Sequence, residues 1–429
     1  MVKIKKIEIS KFRALEPGSS FQLGDRITLI AGGNGTAKST LLGMLCQPLG
    51  FSSKTKAKSI YTNCYDGIDL RTLKTIGNKA FKAEYSDVFR MSSSSDKPRE
   101  HEYTIFFSGD NLNIDSFSNE QSLHIRSEGR KGHKIRFVTN STNRKVGSGN
   151  FPHPVIYLGL QRLRPLATCP THNICKLHSL EPKDEKYYID NYKEIFVDTT
   201  TLSPESIVTK TFKGNYLSIK TPRFGSDSTS AGQDNIGQML TAILSFKRLK
   251  ERLGDKYQGG MILIDEIDAT LHAVSQLNLV NYLIASSHEL DLQIVATTHS
   301  LFLLKNIKKS DVSLVFLKKV DDKIKVANDV EYEAIEADLS AMLPNIKTRY
   351  QTSILFEDSV AADFFKKVTK GIFSEYVDIY NSEQANNDTC VSRGILKTLS
   401  GIAPKKIPEL QKMIFVLDGD WSAPYHLNS

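Results

Sequence analysis

The sequence predicts an α/β fold, with a largely parallel sheet interrupted by a β-rich insert and followed by a second, smaller parallel module. Three observations predict it. The apolar run Ile27-Thr-Leu-Ile30 passes through a glycine-rich segment, Ala31-Gly-Gly-Asn-Gly-Thr-Ala-Lys-Ser-Thr40, into the helical stretch Leu41-Leu-Gly-Met-Leu-Cys46. A second apolar run, Met261-Ile-Leu-Ile264, ends in Asp265 and Glu266, and a third, Leu292-Gln-Ile-Val-Ala-Thr297, ends in Thr298-His-Ser300. Short apolar runs without alternation mark strands covered on both faces, as in a parallel sheet. The expected division is residues 1–345, with the insert at about 51–225, and then 346–429.

Strand, glycine-rich loop and helix with Lys38-Ser39-Thr40 at the join form the phosphate-cradling arrangement of nucleoside-triphosphate enzymes. Residues Gly33, Asn34, Gly35, Thr36, Ala37, Lys38, Ser39 and Thr40 are the candidates to wrap the phosphates. Backbone N–H groups close around them, Lys38 neutralises the β- and γ-phosphates, and the Ser39 hydroxyl faces Mg²⁺. The glycine that usually precedes the lysine is Ala37 here. Its methyl group is accommodated if the local φ is negative.

Asp265, at the tip of a buried strand, is the candidate to hold the metal's water shell, and Glu266 the candidate base for the attacking water. His299, at the tip of the third run, is placed to contact the γ-phosphate. Between these pieces Ser228-Thr-Ser-Ala-Gly-Gln-Asp-Asn-Ile-Gly237 opens a helix-like stretch reaching Leu253. Small hydroxyl and glycine residues at a helix start make an anion-binding terminus.

With these segments in place the chain resembles the ABC-type ATPase heads of the RecF/SMC/OLD group. Ser230, Gly232 and Gln233 of Ser230-Ala-Gly-Gln233 stand where that group has its signature loop, which closes over the nucleotide of another subunit. The resemblance therefore implies a head-to-head homodimer with two ATP molecules, each with Mg²⁺, between the heads. Ile267-Asp-Ala-Thr-Leu-His272 matches the group's dimer-contact loop. Val155-Ile-Tyr-Leu-Gly-Leu-Gln-Arg-Leu-Arg-Pro165 resembles another of its segments, in which Gln161 is a Mg²⁺-facing lid residue or an ordinary surface glutamine after a strand.

Composition agrees with an ordinary globular protein: 24% charged and 40% hydrophobic residues over 429 positions. No apolar run reaches membrane-spanning length and no apolar stretch follows Met1-Val-Lys-Ile-Lys-Lys6, so a cytoplasmic location without membrane contact is expected. Five cysteines, few and odd in number, fit a reducing compartment. Fifty-six Lys and Arg against 48 Asp and Glu give +8. The clusters Lys54-Thr-Lys-Ala-Lys58, Arg130-Lys-Gly-His-Lys-Ile-Arg136 and Arg144-Lys145 suit a phosphate backbone, and jointly they make DNA an expected partner. No heptad run is present, so the long coiled-coil arms of SMC proteins are not expected.

Within the insert, Ser92-Ser-Ser-Ser95 reads as a flexible tract, and the alternating runs His101-Glu-Tyr-Thr-Ile-Phe-Phe107 and His133-Lys-Ile-Arg-Phe-Val138 as hairpin strands. Tyr187–Phe196 reads as an amphipathic helix. Cys169-Pro-Thr-His-Asn-Ile-Cys-Lys-Leu-His178 places Cys169, His172, Cys175 and His178 three apart. Stable zinc sites usually pair two knuckles across a longer loop, and no zinc is assigned here.

The C-terminal stretch reads as strand, helix, strand, helix, strand: Ser353-Ile-Leu-Phe-Glu357, Ala361-Ala-Asp-Phe-Phe-Lys-Lys367, Tyr376-Val-Asp-Ile-Tyr380, Ser392–Leu399 and Lys412-Met-Ile-Phe-Val-Leu-Asp-Gly-Asp420. Glu357, Asp418 and Asp420 fall at strand C-termini, where such sheets bind ligands, and are candidates for a second divalent metal. This resembles the TOPRIM module that follows the ATPase head in OLD-family nucleases. The family has a further acidic residue and a lysine after the Asp-x-Asp strand, whereas this chain stops nine residues past Asp420, and the second acidic residue after Glu357 is displaced to Asp358 or Asp363. The module is therefore expected to be truncated or degenerate.

Two functions follow. In one, the chain is an ATP-gated DNA-processing nuclease of the OLD type, a class implied to act in antiphage defence. In the other, it is an ATPase sensor and scaffold that recruits a separate effector and cuts nothing itself.

Overall fold

A computed structural model describes residues 2–51, 65, 67–92, 94–109, 116–117, 120–130, 134–140, 150–164, 174–176, 180–197, 203–209, 214–220, 222, 225, 229–308, 310–341, 352–356, 359–368, 377–381 and 413–416. Contacts divide the chain into two units, Met1–Ala337 and Asp338–Ser429.

The first unit opens with β1 (Lys3–Phe12), β2 (Ser20–Gln22) and β3 (Ile27–Gly32), then α1 (Lys38–Cys46) and the single turn α2 (Tyr85–Val88). β4 (His101–Ser108), β5 (Ser116–Phe117), β6 (Glu120–Arg130) and β7 (Lys134–Asn140) follow, and β8 (Val155–Leu158) runs into a 3₁₀ turn at Leu160–Leu163. Next come β9 (Ile174–Lys176), α3 (Pro182–Phe196), β10 (Ser203–Thr209), β11 (Gly214–Lys220) and the long α4 (Ala231–Leu253). β12 (Gly260–Ile264), α5 (Ala273–Glu289), β13 (Leu292–Thr297), α6 (Leu301–Asn306), β14 (Val312–Val320) and β15 (Lys323–Asn328) follow, and α7 (Tyr332–Ala341) runs across the division at Ala337.

Two sheets enclose one core. The order β15-β14-β3-β13-β12-β8 is parallel except at the β14–β15 hairpin. β3, β12 and β13 are buried along their whole length, as strands covered on both faces must be. The second sheet, β2-β1-β4-β6-β5 with β7 on β6, is antiparallel. Its inward residues Ile4, Ile7, Ile9, Tyr103, Ile105, Leu123 and Ile125 share a core with Leu41, Leu42 and Leu45 of α1 and Ile30, Leu263 and Val295 of the parallel sheet. α1 lies in this core with every residue except Ser39 buried, and so is apolar nearly all round.

One strand of the segment read as an insert joins the sheet begun at the N-terminus. β4 pairs with β1 over its full length, from Lys3↔Ser108 to Phe12↔His101, and so extends a sheet begun at the N-terminus. The reason is register: Tyr103, Ile105 and Phe107 present an apolar face that the matching faces of β1 and β6 continue on either side. The register shifts between Ile4 and Lys6 restore the alternation that a spacing of three, Ile4 to Ile7, would break.

A third sheet, β11-β10-β9, is antiparallel and rests on α4, where Thr241 Oγ1 accepts from the Leu217 N–H at 3.0 Å. Gly237 allows this approach, since a Cβ there would lie 2.6 Å from the Leu217 carbonyl oxygen.

In the second unit β16 (Thr352–Phe356), α8 (Ser359–Val368), β17 (Val377–Asn381) and β18 (Met413–Val416) form a parallel sheet in the order β17-β16-β18. Ile354, Phe356 and Ala362 are its buried cluster. Among the described residues no helix is long and apolar enough to cross a membrane.

Candidate nucleotide site

The tips of three neighbouring strands make the site. β13 lies between β3 and β12, so residues 297–299 sit between the glycine-rich loop and the carboxylates. A cleft of about 400 Å³ is lined by residues 34–40 together with Arg13, Asp265, Glu266 and His299.

Gly32 has φ +151, and a Cβ there would meet the Leu317 carbonyl oxygen at 2.5 Å, so the strand leaves the sheet through a position only glycine fills. Gly35 follows at φ +73. Ala37 caps α1 at φ 65, in the left-handed region. The negative φ on which its accommodation depends is therefore not what the loop adopts. A non-glycine residue pays about 1–2 kcal/mol there.

Lys38 Nζ donates to the Gly32 and Gly33 carbonyls, both at 2.9 Å. Burial lowers its pKa, while Asp265, Glu266 and Asp268 oppose the shift. Ser39 Oγ donates to Asp265 Oδ2 at 2.9 Å and lies 3.1 Å from Oδ1. Asp265 Oδ1 also accepts from Thr297 Oγ1 at 2.7 Å, and Thr297 Oγ1 in turn accepts from the Glu266 N–H at 2.7 Å. Thr297 thus fixes both carboxylate residues from the strand between. Asp268 Oδ1 accepts from Thr298 Oγ1 at 2.6 Å and from the His299 N–H at 3.3 Å, which holds His299 at the cleft.

Magnesium takes one or two protein oxygens and completes its shell with waters and substrate phosphates. The Ser39 hydroxyl and the Asp265 carboxylate, already in contact, fit that donor set. Gln161 sits in the 3₁₀ turn after β8 and lines a second cavity of about 590 Å³, to which Asp265 also contributes.

Ser230, Gly232 and Gln233 lie at the start of α4 and do not line the Lys38 cleft. Ser230 Oγ accepts from the Gln233 N–H at 3.3 Å and Gln233 Oε1 from the Ser230 N–H at 2.9 Å, a reciprocal cap. Gly232 permits close packing, because a Cβ there would lie 2.7 Å from the Thr270 carbonyl oxygen. Glu357, Asp418 and Asp420 lie outside the described residues, as do Cys169, His172 and His178 and most of the basic clusters.

Three further residues complete the site, and sequence reasoning overlooks them. Arg13, at the end of β1, enters the cleft and is held by Asp96, with Nη2 to Oδ2 at 2.8 Å and Nε to Oδ1 at 3.0 Å. This arginine keeps the Asp96 pKa near 2, with help from the Ser92 N–H and His101, against the opposing effect of burial. Thr297 is the bridge described above. Arg162 is buried beside Gln161. Its only signal is a cluster of cations, Arg162 and Arg164, directly after a strand.

No protein-family model matches the sequence, and no curated protein matches it. Among solved structures the chain is similar to an SMC head domain from Thermotoga maritima, at 12% identity and a TM-score of 0.40, over 77% of this chain and 99% of that one. It is also similar to an Smc head domain with a coiled coil and joint from Pyrococcus yayanosii, at 10% identity and 0.44, over 80% and 100%. The recombination mediator protein RecF with ATP is similar at 13% identity and 0.38, over 76% and 98%.

Proposed function

We infer that the chain binds and hydrolyses ATP with Mg²⁺ in the manner of an ABC-type head, and that two copies close head to head on the nucleotide. The observation that carries this reading is the Ser39–Asp265 contact at 2.9 Å, which joins residues 226 positions apart at the mouth of the glycine-rich loop. In this reading the loop N–H groups and Lys38 hold the phosphates, Glu266 takes a proton from the attacking water, and His299 stands at the γ-phosphate. Ser39 and Asp265 would hold Mg²⁺, which would supply charge neutralisation to the phosphate oxygens, and Gln161 is a further candidate to face it. Ser230, Gly232 and Gln233 serve the nucleotide of the partner copy.

The wider role is DNA processing of the OLD type in antiphage defence, with closure of the heads controlling metal-dependent cleavage by Glu357, Asp418 and Asp420. The basic clusters and the parallel β16–β18 unit support it. The test is ATP turnover by the wild type and Lys38→Ala, with and without double-stranded DNA. Turnover that is lost in Lys38→Ala and raised by DNA supports the reading. Tight ATP binding without turnover points instead to a nucleotide-held scaffold that recruits a separate effector. Mg²⁺-dependent nicking of plasmid DNA, absent in Asp418→Ala, tests the nuclease assignment.

A further inference from the structure

Arg162 is only 2% exposed, yet among the described residues no carboxylate touches its guanidinium. Nε donates to Asn235 Oδ1 at 2.7 Å, Nη1 to the Leu158 and Gly159 carbonyls at 3.1 Å each, and Nη2 to the Glu266 carbonyl at 2.7 Å. Burial draws its pKa down to about 10. A buried cation is costly; the atoms that touch this one are neutral oxygens, and the charges of Asp265, Glu266 and Asp268 offset only part of the effect of burial. A fixed, planar fork of donors does what no apolar residue can: it ties together three separate pieces of the fold, two through backbone carbonyls and one through the Asn235 side chain.

Those pieces are the end of β8, the first turns of α4 and the peptide of Glu266. α4 grips the arginine twice from one face, through Asn235 and through Gln238, whose Nε2 donates to the Arg162 carbonyl at 3.1 Å. Asn235 Nδ2 also donates to the Ala269 carbonyl at 2.9 Å, so the same residue touches the loop that follows the carboxylates. Glu266 has φ 52, a left-handed conformation rare for a glutamate. Two bonds keep it there: its N–H reaches Thr297 Oγ1, and its carbonyl receives Arg162 Nη2.

We propose that Arg162 is a positioning residue that couples the first turns of α4, through Asn235, to the backbone of Glu266. Load on the Ser230 end of α4 then sets the aim of the base. The coupling rests on the ATPase reading above. It makes hydrolysis in one copy depend on what occupies the α4 N-terminus.

The test compares Arg162→Gln, Asn235→Ala and the double variant in ATP turnover, ATP binding and thermal unfolding. Because the glycine-rich loop is untouched, the Kd for ATP stays within about twofold, while kcat falls about 10-fold or more at nearly constant KM. The double variant is no worse than the more severe single one, since both break one link. Losses that multiply, a raised KM at unchanged kcat, or full kcat in a folded Asn235→Ala overturn the proposal. Should Arg162→Gln fail to fold, Asn235→Ala and Asn235→Asp carry the test, because they leave the three carbonyl bonds of Arg162 in place. Wild-type turnover that survives Lys38→Ala removes the ATPase reading and the coupling together. Turnover lost in Lys38→Ala but intact in Asn235→Ala removes the coupling alone.

Discussion

Ala37 sits in a conformation that favours glycine, at the one position of the loop where the usual glycine is missing. Ala37→Gly relieves the strain at the cost of a more flexible unfolded chain, and is expected to raise the unfolding free energy by about 0.5–1 kcal/mol, read as a higher urea midpoint. His153 is a second residue with a measurable signature. Its ring is 1% exposed, its Nε2 has no partner among the described residues, and burial draws its pKa from the ordinary 6.5 to about 4. Between pH 6.5 and 4 the unfolded chain takes up a proton that the folded chain refuses. Stability is therefore complete above that window and falls by about 3 kcal/mol as the pH drops through it. His153→Leu is expected to flatten this part of the stability–pH curve in chemical denaturation, and an unchanged slope would count against it.

At the scale of elements, one side chain pins the antiparallel sheet to the parallel one. Gln293, buried in β13, accepts from the Ile4 N–H at 2.7 Å and donates to the Ile4 and Gly24 carbonyls at 2.9 and 3.0 Å. It supplies partners beside the shifted register of β1. Gln293→Leu leaves those backbone groups unpaired and is expected to cost about 2–4 kcal/mol, measured by denaturant unfolding, with Gln293→Glu also destabilising. Which elements form was legible in local pattern: short, mostly apolar runs mark β3, β12 and β13, and the small hydroxyl and glycine residues of 228–237 mark the opening of α4. What those elements meet was not. The pairing of β4 with β1, the grip of Gln293 and the fork of Arg162 join residues far apart in the chain, and no periodicity encodes them. In the candidate site, residue types and spacing single out Lys38, Ser39 and Asp265 as candidates, whereas the handedness of Ala37 depends on how the loop closes.

At the scale of the whole molecule, the two ends of the candidate machinery, Lys38 and Ser230, lie apart in a single chain. Under the proposed closure of two heads, Glu266→Gln slows turnover and lets ATP accumulate between them. Sizing with light scattering in ATP and Mg²⁺ should then show a species of twice the 48.0-kDa monomer mass. A species unchanged by ATP would speak against closure. The burial of α1 between two sheets has a consequence of its own. A helix enclosed along nearly its whole length is expected to exchange its amide protons only when the domain opens as a whole, although the loop at its head lines an open cleft. Nucleotide bound there adds its linkage energy to the global opening reaction, about 2.7 kcal/mol at a hundredfold excess over Kd. Under the proposed function, the protein's resistance to unfolding would then become a gauge of the nucleotide supply around it.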